Sequence, residues 1–174
     1  MTIDILDVLS RENKELTEKV QLGFTSFTSK LGDFPITKAA PIELQIKNRE
    51  NKRLIIRGDV DLDASIPCSR CLEEVPTNIH FSIDKELKIE NGAIVDEEVE
   101  ETDYLIGLNL DIDRLIYGEI LVNWPMKVLC REDCKGICKV CGADLNEGEC
   151  DCDRTELDPR MSVIRDIFNN FKEV

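Results

Sequence analysis

The stretch CREDCKGICKVCGADLNEGECDC, residues 130–152, holds six of the eight cysteines of this chain. No other feature narrows the possible folds so far. A segment of that length cannot bury a core of its own, so disulfides or metal must cross-link it if it is to keep a shape. The remaining pair, Cys68 and Cys71, lies far upstream in IPCSRCLEEV. An account of the fold has to employ both groups.

Compartment decides which cross-link is expected. The start, MTIDILDVLSRENKEL, has neither the basic segment nor the apolar core of a signal peptide. The longest apolar runs, such as LIYGEILV, fall far short of the ~20 residues that span a bilayer. The expectation is a cytoplasmic protein with no membrane segment. In a reducing compartment, clustered cysteines serve as metal ligands or reactive thiols more often than as disulfides.

Cys138-Lys139-Val140-Cys141-Gly142 is the strongest local signal. Two thiolates separated by two residues can turn onto one zinc, and the following glycine permits the left-handed backbone such a knuckle needs. Cys150 and Cys152 complete a C-x2-C-x8-C-x-C set, in which the C-x-C half requires a turn because extended backbone would hold its sulfurs too far apart. Cys130 and Cys134 can share one helical turn at i, i+4. With Cys68 and Cys71 they make a second set of four. The leading arrangement is two structural four-thiolate zinc sites, the second tying the β core to the C-terminal module. Both would be closed, with no open position for substrate. A single ion held by Cys134, Cys138, Cys141 and one of Cys150 or Cys152 is the alternative distribution. Disulfides, an iron–sulfur cluster and a redox Cys68-x2-Cys71 are the competing chemistries; the last is disfavoured because no βαβ pattern surrounds it.

The rest of the chain is expected to be α+β, an antiparallel β-rich core with an amphipathic helix, a Cys-rich zinc module and a C-terminal helix. Residues 15–24 are read as a strand. Ile42, Leu44 and Ile46 alternate in PIELQIKN, and RLIIRGDVDLDASIP (residues 53–67) continues after the polar turn NRENK, with Gly58 as a candidate bulge. VPTNIHFSIDKELKIE (residues 75–90) puts Ile79, Phe81 and Ile83 on one face and ends at Asn91-Gly92. Three such strands with short turns predict an antiparallel meander. From Asp111 the period changes: Ile112, Leu115, Ile116 and Ile120 form a helical stripe near residues 111–123, stopped by Pro125. Asp158 and Pro159 open a second helix whose stripe is Met161, Ile164, Ile167, Phe168 and Phe171. The expected division is a β-rich core over residues 1–128 and a zinc module with its helix over residues 129–174.

Other chemistry is thin. His80, the only histidine, falls inside a strand, and no Gly-rich phosphate loop is present, so neither an enzyme nor a small-molecule substrate is expected. The formal charge is −14, and each dication held by four thiolates would add a net two negative charges, taking two sites to about −18. That opposes broad binding to nucleic-acid phosphates. The one basic stretch, Lys47, Arg49, Lys52, Arg53 and Arg57, together with Arg70 between the upstream cysteines, is the candidate local contact for RNA or an acidic partner. DEEVEETD, residues 96–103, carries six acids in eight positions and is read as a solvated loop or a dock for a basic protein.

Together these residues resemble the YceD family of large ribosomal RNA subunit accumulation proteins. The resemblance rests on the C-S-R-C turn at Cys68–Cys71, the acidic loop, the helix ending in Asn123-Trp124-Pro125, the block CKGICKVCGADLN, and Asp158-Pro159-Arg160 before an apolar helix. Lys139 stands where the family more often has proline. The resemblance implies a bacterial or plastid protein needed for accumulation of large-subunit ribosomal RNA, with ribosomal proteins or pre-large-subunit particles as partners. A zinc-dependent adaptor for a non-ribosomal partner and a thiol redox protein are the alternative functions.

Overall fold

The computed structural model describes residues 1–90, 93–95 and 103–152. The helix expected from Asp158, the Asn91-Gly92 turn and residues 96–102 of the acidic run lie outside the described residues. The chain divides into two compact units, one of Met1–Pro67 with Glu74–Val128, the other of Cys68–Glu73 with the residues from Leu129 onward.

Among the described residues the first unit is antiparallel β with two helices. Its elements are β1 (Thr2–Asp4), α1 (Leu6–Leu9), β2 (Glu15–Val20), β3 (Ser26–Ser29), β4 (Gly32–Ala39), β5 (Ile42–Arg49), β6 (Arg53–Pro67), β7 (Glu74–Glu90), β8 (Ala93–Val95), β9 (Leu105–Ile106), β10 (Asn109–Asp111) and α2 (Ile112–Val122). Strands β5, β6 and β7 are the meander, pairing antiparallel in chain order, and each alternates apolar and polar side chains. Along β5, Ile42, Leu44, Ile46 and Asn48 face inward and their neighbours outward. Along β7 the inward face is Ile79, Phe81, Ile83, Leu87 and Ile89. His80 lies on the outer face, paired in register with Asp61. Leu44, Ile46, Leu54 and Ile56 are fully buried, each contributing ~1.5–3 kcal/mol of apolar transfer free energy.

One local expectation is corrected. Gly58 is not a bulge, since β6 keeps unbroken register with β7 through Gly58 and Ile83. A Cβ at Gly58 would lie 2.8 Å from Leu44 Cδ2 and 3.0 Å from the Glu43 carbonyl oxygen, so the glycine serves a close approach of β5. It falls between Arg57, where pairing with β5 stops, and Leu62, where pairing with β4 starts. The register shift lies instead in β4, between Ile36 and Lys38.

A small second sheet, β1-β10-β9, pairs Thr2 with Asp111. Asp111 also starts α2, its carboxylate accepting the N–H groups of Asp113 and Arg114. The helix buries Ile112, Leu115, Ile116 and Ile120. Past its end, Trp124 packs on Phe27 and Phe34, with ring centroids 4.7 Å apart in each pair. Asn48 is fully buried although polar, its amide donating to the carbonyls of Val8 (3.0 Å) and Arg11 (3.1 Å) and so fastening the end of α1 to the β5–β6 turn. No helix among the described residues is long and apolar enough to cross a membrane.

Candidate metal centres

The second unit is built on one backbone device used twice. In Cys68-Ser69-Arg70-Cys71-Leu72, the Leu72 N–H donates to the Cys68 carbonyl (3.0 Å) and the Cys68 N–H to the Glu73 carbonyl (2.8 Å). In Cys138-Lys139-Val140-Cys141-Gly142, the Gly142 N–H donates to the Cys138 carbonyl and the Cys138 N–H to the Ala143 carbonyl, both at 2.8 Å. The residue after the second cysteine turns left-handed in each, with φ +65° at Leu72 and +74° at Gly142. Each knuckle thus presents two sulfurs on the same side of a tight loop.

Each knuckle meets a second cysteine pair. Cys68, Cys71, Cys130 and Cys134 form one group, and Cys138, Cys141, Cys150 and Cys152 the other. Within each group all four sulfurs lie within 4.8 Å of one another. Cys130 and Cys134 do not share a helical turn; a tight turn, closed by the Cys134 N–H on the Arg131 carbonyl (3.2 Å), sets them together. A turn after Asp144, whose carbonyl accepts the N–H groups of Glu147 (3.3 Å) and Gly148 (3.4 Å), leads back to C-x-C, while Cys150–Cys152 is not itself the expected turn.

The donor sets fit a metal ion. Cys68 Sγ lies 3.8 Å from Cys134 Sγ, and Cys71 Sγ 3.5 Å from Cys130 Sγ. A tetrahedral ion with ~2.3 Å bonds to sulfur separates its ligands by ~3.8 Å, whereas a disulfide needs ~2.05 Å. All eight cysteines are free of disulfides. Four sulfurs fill a tetrahedron, so neither group keeps an open position.

Three residues outside the ligand sets connect the groups. Arg70 is the hinge of the first knuckle. Its guanidinium donates to the Cys134 carbonyl (2.5 Å), and its own carbonyl accepts the Ile137 N–H (3.1 Å), one residue before the first ligand of the second group. Gly136 makes that approach possible, because a Cβ there would stand 2.8 Å from the Arg70 carbonyl oxygen and its φ is +78°. Asn146 belongs to the loop between Cys141 and Cys150, yet its amide donates to Cys134 Sγ (3.4 Å) in the first group and accepts the Lys135 N–H (2.7 Å). Such outer donors orient metal ligands and tune the charge on sulfur. In the sequence Arg70 is a candidate partner contact and Gly136 a flexible neighbour of the knuckle, whereas Asn146 carries no local signal.

Proton affinities divide each group in the same way. The backbone N–H of Cys71 draws the Cys68 thiol down to about 6, and the N–H groups of Cys141 and Val140 draw Cys138 down to about 6. Burial pushes the Cys130 thiol well above its ordinary value. The neighbouring Cys141 side chain raises Cys152 to about 12. Each knuckle therefore offers a ready thiolate, while its partner pair retains a proton until a cation displaces it.

The basic stretch Lys47–Arg57 belongs to the first unit. Lys47 pairs with Glu15 (3.3 Å), Arg57 with Asp84 (3.2 Å) and Arg53 with Glu86. Arg49 and Lys52 stand at the β5–β6 turn, without an ion-pair partner among the described residues.

Among known proteins, the family model described as Large ribosomal RNA subunit accumulation protein YceD matches residues 56–168, a span that contains all eight cysteines. The chain is similar to the Large ribosomal RNA subunit accumulation protein YCED homolog 1, chloroplastic, of Arabidopsis thaliana, with 27% identity over 75% of this chain and 49% of the relative. An uncharacterised protein of Mycobacterium leprae is 24% identical over 61% of this chain and 50% of its own length. The uncharacterised protein YlbN of Bacillus subtilis is 26% identical over 99% of this chain and 98% of its own length. The chain thus spans about half of the Arabidopsis and M. leprae proteins and nearly all of YlbN. No solved structure matches it.

Proposed function

The chain belongs to the YceD family of large ribosomal RNA subunit accumulation proteins, and from that premise we propose that it is a non-enzymatic ribosome-biogenesis factor carrying two structural zinc ions. The observation that carries this reading is the family match across a span that includes both four-sulfur groups. Zinc suits them because soft thiolate sets select it and it accepts tetrahedral geometry without strain. Closed sites stabilise a module and leave no position to activate water, which supports a role without catalysis. The partners are basic ribosomal proteins or large-subunit precursors. Their recognition by charge suits a chain at −14 whose Lys47, Arg53 and Arg57 are already engaged by acids.

Two measurements test the reading. The purified protein should carry close to two zinc ions by elemental analysis. Cells depleted of it should lose large-subunit relative to small-subunit ribosomal RNA, with the protein sedimenting beside large-subunit precursors. Normal ribosomal RNA with no co-sedimentation overturns the biogenesis role; zinc-free protein with eight titratable thiols overturns the metal.

A further inference from the structure

A groove of about 830 Å3 runs along α2 within the first unit. Phe24, Leu115 and Tyr117 give it an apolar lining. At the C-terminal end of the helix Leu121 is 47% and Val122 79% exposed, an unusual display of large aliphatic side chains side by side. The wall between them and Leu115 contains Gly118. A glycine inside a helix weakens it relative to alanine, and such a residue ordinarily answers a packing need. None exists here, because a Cβ at Gly118 would meet no atom within 4 Å. The bare helix surface faces the open groove, where it would let a second backbone come close.

We propose that this groove seats a cation-rich peptide segment of a partner protein, with an apolar side chain on Leu121 and Val122 and its backbone over Gly118. Charge sets the sign of the occupant. Asp103, Asp111, Asp113 and Glu119 line the groove against Lys85, Arg114 and the Met1 amino group. Glu119 is held by Lys85 (2.7 Å), and Asp113 by the Gly23 N–H (2.9 Å) and the Met1 amino group (2.5 Å). Asp111 is taken up by Arg114 and by capping the helix, while Asp103, its side chain 95% exposed, touches Arg114 and stays within reach of an incoming cation. Asp103 is also the last residue of the acidic run 96–103 in the sequence. A second copy of a chain at −14 would be repelled from this place. The inference rests on the ribosomal reading only for the identity of the partner.

The test uses the full, metal-loaded chain and a fluorescent lysine–leucine peptide, with a glutamate–leucine peptide as control. Wild type should bind the first and not the second. Gly118→Leu should weaken binding at least tenfold without lowering the thermal midpoint, and Gly118→Ala should raise the midpoint while weakening binding several-fold. Val122→Lys, a change at an exposed position, should weaken binding by a similar factor and decides the matter if Gly118→Leu fails to fold. Unchanged affinity in Val122→Lys and Gly118→Ala, or equal binding of both peptides, overturns the proposal. Lost peptide binding with normal large-subunit ribosomal RNA in cells carrying Val122→Lys overturns the ribosomal identity of the partner and leaves the wider biogenesis role to its own depletion test.

Discussion

Leu72 and Gly142 occupy one position in two equivalent knuckles, with the same hydrogen bonds and nearly the same φ. A left-handed backbone costs a side-chain-bearing residue ~1–2 kcal/mol, and Leu72, 64% exposed, recovers little of it through packing. Leu72→Gly should therefore hold metal in the first group at least as firmly as wild type, the relief being partly offset by the ~0.5–1 kcal/mol entropy of glycine. Gly142→Leu should weaken the second group by roughly 5–30-fold, the equivalent of ~1–2 kcal/mol, as read by competition with a chromophoric chelator. Equal losses in the two variants would show that the left-handed position does not govern the knuckles. Asn146 makes a sharper case. Asn146→Ala removes the N–H on Cys134 Sγ, and a hydrogen bond to a charged group is worth ~1.5–3 kcal/mol. The first group should lose affinity, although the substitution lies in the loop of the second. Metal lost from the second group alone would contradict the cross-link.

At the scale of elements, the long strands and the two sulfur groups were legible in the sequence for different reasons. Strands β5, β6 and β7 declare themselves because one face is buried along 8 to 17 residues, long enough for alternation to register. The cysteine groups follow from ligand arithmetic, which needs no local conformation. Strands β1, β9 and β10 are two or three residues long, and Thr2 finds Asp111 across most of the chain, so no periodicity can reveal them. Strand β4 hides behind Pro35, and Leu72 hides because leucine gives no hint of a positive φ. The knuckle and its partner pair also differ in proton affinity, which sets a pH dependence. With Cys130 raised and Cys152 at about 12 in the metal-free protein, each group must release at least one proton near neutrality when a dication binds. Apparent metal affinity should thus rise at least tenfold per pH unit per group between about pH 6 and 8, and metal-conferred stability should be lost as pH falls. A flat profile would mean that the thiolates are already formed before metal arrives.

For the whole molecule the deciding quantity is charge. At −14, or about −18 with two dications on eight thiolates, the chain repels phosphates that come within the Debye length of ~8 Å at physiological salt. Its hairpin cations are mostly spent on Glu15, Asp84 and Glu86. Attraction is left for basic proteins, and it should fade as salt rises, because it depends on exposed charge. Replacing the six acids of DEEVEETD by their amides lowers the formal charge from −14 to −8. That variant should associate less with large-subunit precursors and lower large-subunit ribosomal RNA, while keeping its thermal midpoint and metal content. Arg49→Gln with Lys52→Gln is the opposing experiment, since these two turn cations could touch RNA without first breaking an ion pair among the described residues. It should leave association unchanged. If the turn variant alone fails, the chain meets RNA through a local basic turn despite its charge, and the assignment of a basic protein partner is wrong.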